Sequence, residues 1–196
     1  MIFNTKFHWG SPISSSTWED FITSEYRLNN IVKHQLNAVG GYYWYKDNFL
    51  KFDDPLVRAL RRFIFDSAGL FLLELNMNND HLLYQSWITN DCEPDFQARY
   101  GPNSFISGEF FLKHAQYSFL NPIDPRIGGV EDFFSLEEEY SFEPGDLIIF
   151  PSFLNYRRKQ ARQNNEFLSI SFDIVKSKQI SRFHNGYGFK SLDIFK

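Results

Sequence analysis

Leu168-Ser169-Ile170-Ser171-Phe172-Asp173-Ile174 alternates apolar and polar residues without a break. Successive side chains of a β-strand point to opposite faces, so the segment reads as a strand with one buried face and one polar face. Upstream, Glu143-Pro144-Gly145-Asp146 is a turn signal, and Leu147-Ile148-Ile149-Phe150 after it reads as a buried strand that stops at Pro151-Ser152. Further apolar runs lie at 70–75, 82–89, 105–112, 117–120 and 140–142, and the alternating strand spans 167–175. Asn-Met-Asn-Asn-Asp, Gly-Pro-Asn-Ser and Asn-Pro-Ile-Asp-Pro punctuate them. Short strands with turns every ten or so residues predict a β-sandwich or barrel. Gly108, inside the 105–112 run, marks close packing or a bulge where a side chain would clash.

The first third reads as helix and loop. Ser14-Ser15-Ser16-Thr17 precedes Trp18-Glu19-Asp20-Phe21-Ile22, which resembles a helix cap followed by acidic residues and an apolar stripe. Asp53-Asp54-Pro55 opens a second helix, with Asp54 at the N-cap, Pro55 in the first turn and Leu56, Leu60, Phe63 and Ile64 at helical spacing. Arg58, Arg61 and Arg62 beside that stripe read as a solvated basic face. The expected division is 1–69 as a helical and loop region packing on the barrel, 70–175 as the barrel core and 176–196 as a C-terminal arm.

Composition sets the outer limits. Phe, Tyr and Trp make up 19% of the 196 residues, which supplies a core and excludes general disorder. A net charge of −4 argues against a bulk electrostatic grip on nucleic acid. Cys92 is the single cysteine, so neither an intrachain disulfide nor a cysteine zinc cluster can form. The opening residues lack the basic-then-apolar order of a secretory signal, and no apolar run reaches the ~20 residues of a membrane span. A soluble protein made inside the cell is expected.

Five blocks in order carry a resemblance. They are Ser86-Trp87-Ile88-Thr89-Asn90; Gly101 to Leu112, beginning Gly-Pro-Asn-Ser-Phe; Asn121-Pro122-Ile123-Asp124-Pro125-Arg126; Glu143 to Leu154; and Leu168 to Asp173. Over residues 84 to 175 the chain resembles the 2-oxoglutarate/iron(II) oxygenase family found in bacteria and tailed phages. The resemblance implies a double-stranded β-helix, a jelly-roll barrel with flanking N-terminal helices. It also implies a facial triad of two His and a carboxylate or a third His, and an Arg for the far carboxylate of the co-substrate.

At the positions matching that machinery the chemistry differs. The first two metal ligands fall on Arg99 and Gly101, the distal histidine on Tyr156 and the co-substrate arginine on Phe167. Arg99 puts a fixed cation where a metal cation would bind, and Phe167 cannot pair with a carboxylate. No histidine lies between His81 and His114 or between His114 and His184, so a one-residue slip restores nothing. The expectation is a dead catalytic site on a living fold, with no catalytic residue, no metal and neither iron nor 2-oxoglutarate as cofactor.

Other candidates are weaker. Asp91, Cys92, Glu93 and Asp95 read as a solvated acidic loop, since their spacing suits a metal poorly. His114 is expected at a strand end, at the surface or hydrogen-bonded. The basic run with Arg157, Arg158, Lys159 and Arg162, and the aromatic cluster Tyr42-Tyr43-Trp44-Tyr45, are the candidate partner-binding surfaces. The structural alternatives for these are a hairpin loop kept polar and a sealed core edge. The preferred reading is a structural or adaptor barrel contacting other proteins or further copies of itself, as a virion component of a tailed phage (neck, tail or baseplate). If not phage-encoded, it is cytoplasmic. The alternatives are a divergent iron(II)/2-oxoglutarate dioxygenase and a small-molecule or sugar-binding module with Tyr100, Phe153 and Tyr156 in the barrel pocket.

Overall fold

The computed structural model of the chain describes residues 3–8, 11–38, 48–77, 82–90, 97–98, 104–119, 138–152, 154, 156–159, 167–176 and 193–194. In chain order the elements are β1 (Phe3–His8), β2 (Ser11–Thr17), α1 (Phe21–Ala38), a 3-10 turn (Phe49–Lys51), α2 (Pro55–Glu74), β3 (Leu82–Thr89) and β4 (Gln97–Ala98). β5 (Ile106–Phe111), β6 (Ala115–Phe119), β7 (Glu138–Phe142), β8 (Asp146–Pro151), β9 (Tyr156–Lys159), β10 (Ser169–Lys176) and β11 (Asp193–Ile194) follow. The strands form two antiparallel sheets, a seven-stranded one ordered β1-β2-β8-β5-β10-β3-β11 and a four-stranded one ordered β4-β9-β6-β7.

The predicted strand β10 lies inside the larger sheet, and its two faces meet different layers. Ile170 pairs in register with Phe110, whose ring packs edge-on against Trp18, Phe21 and Phe63 of the helical layer. Ser169 pairs with Phe111, whose ring instead stacks on Phe142 and meets Tyr117 in the smaller sheet. The apolar face of β10 therefore covers the helices, and its serine face lines the space between the two sheets. That polar face is buried: Ser169, Ser171 and Asp173 have no exposed surface. Alternation correctly separates the faces; the polar one is barrel interior, not solvent-facing.

Two expectations about the N-terminal third are corrected. Ser14 to Thr17 belong to β2, paired with β8 from Ser14↔Ile149 to Thr17↔Asp146, and α1 begins later, at Phe21. Serine has little intrinsic strand preference, and here pairing to a buried strand and a Ser16–Ser67 hydroxyl contact of 3.2 Å onto α2 decide the conformation. The 70–75 run is helical, since α2 extends to Glu74. Its end is a Schellman turn: Asn76 takes φ 52°, Asn76 N–H donates to Leu73 and Met77 N–H donates to Leu72.

The start of α2 follows the sequence. Leu56 N–H donates to the Asp54 carboxylate at 2.7 Å, Pro55 occupies the first turn, and Arg27 of α1 pairs with Asp54 at 2.9 Å. Asp54→Ala is expected to cost about 1 kcal/mol, a melting shift of roughly 2–4 °C by differential scanning fluorimetry. Arg58 pairs with Asp53, Arg62 with Asp66 and Arg61 with the Leu50 carbonyl, so the basic face of α2 makes mainly local contacts.

The Glu143–Asp146 turn also forms as predicted. Asp146 N–H donates to Glu143 O at 3.0 Å, and Gly145 adopts φ +95°, which favours glycine. Gly108 is required by close approach: a Cβ there would overlap the Phe172 ring and lie 2.6 Å from the Ile148 carbonyl oxygen.

Candidate functional site

The interior face is built from three neighbouring strands. In register, Gln85 of β3 lies across from Asp173 of β10, which lies across from Ser107 of β5. Two residues along, Trp87 is opposite Ser171, and Ser171 is opposite Glu109. The resulting buried stripe carries two hydrogen-bonded chains. Ser107 Oγ donates to Asp173 Oδ1 at 2.6 Å, Gln85 Nε2 donates to Asp173 Oδ2 at 3.3 Å, and Ser152 lies 2.7 Å from Ser107. Because the single Ser107 proton goes to Asp173, Ser152 donates to Ser107.

In the second chain Ser171 Oγ donates to Glu109 Oε1 at 2.8 Å, which leaves Thr89 as donor to Ser171, also at 2.8 Å. The Ser169 hydroxyl, next on the same face, is buried without a hydrogen-bond partner among the described residues. Burial pushes the Asp173 carboxyl up from 3.8 to about 6, against the opposing effect of the Ser107 and Gln85 hydrogen bonds.

Aromatic rings face this stripe from the smaller sheet. Tyr156, first residue of β9, is 1% exposed; its ring stacks on Tyr117 with centroids 5.3 Å and planes 14° apart. Phe150 meets the same ring edge-on at 5.5 Å. Phe167, just before β10, is buried in the core cluster.

Two antiparallel sheets enclosing an interior, with helices behind the larger one, define a double-stranded β-helix barrel. No protein-family model matches the sequence, and no curated protein is similar to it. Among solved structures, the chain is similar to AviO1 from Streptomyces viridochromogenes Tue57, with 12% identity over 84% of this chain and 90% of that one, TM-score 0.55. It is also similar to a Pseudomonas putida prolyl-4-hydroxylase, with 9% identity over 84% and 92% of the two chains, TM-score 0.56. HygX from Streptomyces hygroscopicus, solved with nickel and 2-oxoglutarate bound, aligns at 9% identity over 84% and 82%, TM-score 0.51. The chain has the fold of the 2-oxoglutarate/iron(II) oxygenases.

Of the positions that the resemblance assigns to that cofactor pair, Tyr156 and Phe167 are among the described residues, and neither side chain is of the type the resemblance implies there. At the distal ligand position a phenol, held between Tyr117 and Phe150, replaces an imidazole. At the co-substrate position a buried phenyl ring replaces a guanidinium. Arg99 and Gly101 lie outside the described residues, as do the acidic loop 91–95, the aromatic cluster Tyr42 to Tyr45, and Tyr100, Phe153, Arg162 and His184. Arg157, Arg158 and Lys159 fall within β9, opposite Ser118, Tyr117 and Gln116 of β6. His114 meets the expectation, its Nδ1 lying 3.0 Å from Glu143 Oε1 at the surface.

The paired acids Glu109 and Asp173 are what the sequence reading missed. Ser-x-Ser-x-Asp in the alternating strand was the available signal. The alternation separates a polar from an apolar face but does not say that the polar one is buried, because a half-buried antiparallel strand has the same pattern.

Proposed function

We propose that this chain is a non-catalytic barrel of oxygenase fold that acts as a structural or adaptor protein, with other proteins as its partners. The stacking of Tyr156 on Tyr117 carries the reading. It fills with packed rings the place where the family's chemistry would put an exchangeable metal ligand. Packed rings stabilise a barrel whose vacated interior would otherwise be a cavity. The virion setting, at the neck, tail or baseplate, rests on the resemblance to a family found in tailed phages.

The test is coupled turnover. Purified protein with iron(II), ascorbate, dioxygen and 2-oxoglutarate is expected to release no succinate above a protein-free blank. Succinate release that depends on the protein would overturn the proposal in favour of a divergent oxygenase, the reading that the structural neighbours favour. Of the three rings in the sugar-binding alternative, Tyr156 is engaged on both Tyr117 and Phe150, and Tyr100 and Phe153 lie outside the described residues.

A further inference from the structure

The family's co-substrate is a dicarboxylate, and the interior of this barrel is acidic along β10. The serine face runs Ser169, Ser171, Asp173 from the strand start, the end where the resemblance puts the co-substrate's cation and this chain has Phe167. Ser171 donates its hydroxyl to Glu109, and Asp173 lies two residues further on, both acids being buried. Residues two apart on one strand face are separated by about 7 Å, roughly the length of a five-carbon diacid. A carboxylate hydrogen-bonded to the partnerless Ser169 hydroxyl would therefore lie about 7 Å from the Glu109–Ser171 pair, and its other end would approach Asp173.

We infer that this barrel excludes 2-oxoglutarate by charge as well as by the loss of a cation, with Glu109 and Asp173 as the excluding groups. The inference rests on the non-catalytic reading and deepens it: the interior would still reject a dicarboxylate if an arginine were returned to position 167. Like charges about 7 Å apart at an effective dielectric near 20 weaken binding roughly 50-fold. Ser169, Ser171 and Thr89 would remain compatible with a neutral hydrogen-bonding group.

The experiment compares Phe167→Arg with Phe167→Arg/Glu109→Gln/Asp173→Asn at pH 7.5. Each is titrated with 2-oxoglutarate alone and with its neutral dimethyl ester, with binding read by calorimetry. The expected result is a gain of at least about 50-fold in 2-oxoglutarate affinity on replacing the two acids, with ester binding unchanged. Affinities within threefold of each other, or no detectable binding by either variant, would overturn the inference. If arginine at position 167 prevents folding, the wild type and Glu109→Gln/Asp173→Asn are compared by ligand-observed NMR at millimolar 2-oxoglutarate. Equal signals, or none from either protein, overturn it as well. Failure here leaves the non-catalytic reading standing, since that is tested separately, by turnover and by joint metal and co-substrate binding of the wild-type protein.

Discussion

Gly108→Ala is expected to lower the melting temperature by roughly 6–12 °C, from about 3 kcal/mol of lost stability. Gly108 sits in the middle of β5, between β8 and β10, where the Phe172 ring lies across it from the paired strand. An added methyl would overlap that ring and also approach the Ile148 carbonyl oxygen to 2.6 Å. On an exposed strand the ring would turn away, but Phe172 is buried and the carbonyl belongs to the neighbouring strand of the ladder. Relief of one contact therefore worsens the other. Thermal melts of the two proteins check this, and a shift under 2 °C would show that the sheet absorbs the methyl.

The second large effect is a pH dependence with an unusual sign. The Asp173 carboxyl has its folded pKa raised from 3.8 to about 6 by burial. The folded chain therefore takes up a proton before the unfolded chain does as pH falls. The stability attached to this group is fully present below pH 3.8 and is lost as pH rises through about 6. The difference between the two values corresponds to about 3 kcal/mol. Other carboxylates titrate over the same range, so the informative quantity is the difference between wild type and Asp173→Asn. Asparagine can still accept from Ser107 but cannot ionise. Urea melts from pH 4 to pH 7 should show the variant gaining about 2.4 kcal/mol relative to wild type as pH rises. A difference that stays constant across that range would mean Asp173 is not a buried titrating group.

Much of the fold is legible in the sequence because its signals are local. The alternation of β10, the Glu-Pro-Gly-Asp turn and the Asp54-Pro55 helix start each arise from a short stretch, and each is found where expected. The corrections come where distant residues decide. β2 is a strand because β8 offers it a ladder, which a serine-rich segment does not announce. Residues 70–75 are an apolar run compatible with either periodicity, and the left-handed Asn76 after them sets the helix end.

The candidate site divides in the same way. Tyr156 and Phe167, the residues that the resemblance sets at the metal and co-substrate positions, are read one by one from the sequence. The pairing of Glu109 with Ser171 and of Ser107 with Asp173 depends on the register of two strands 62 and 66 residues apart. That register follows from tertiary packing, so the acidic interior is visible only in the assembled barrel.

The most direct test of the central claim is an anaerobic thermal melt with and without manganese(II) plus 2-oxoglutarate. A pair that bound only the folded state, at 100 times its dissociation constant, would add about 2.7 kcal/mol and several degrees. The account predicts no shift, because Tyr156 is locked against Tyr117 and Phe150 and no guanidinium stands at position 167. A shift of several degrees that requires both additions would contradict it and show a working metal and co-substrate site in this barrel.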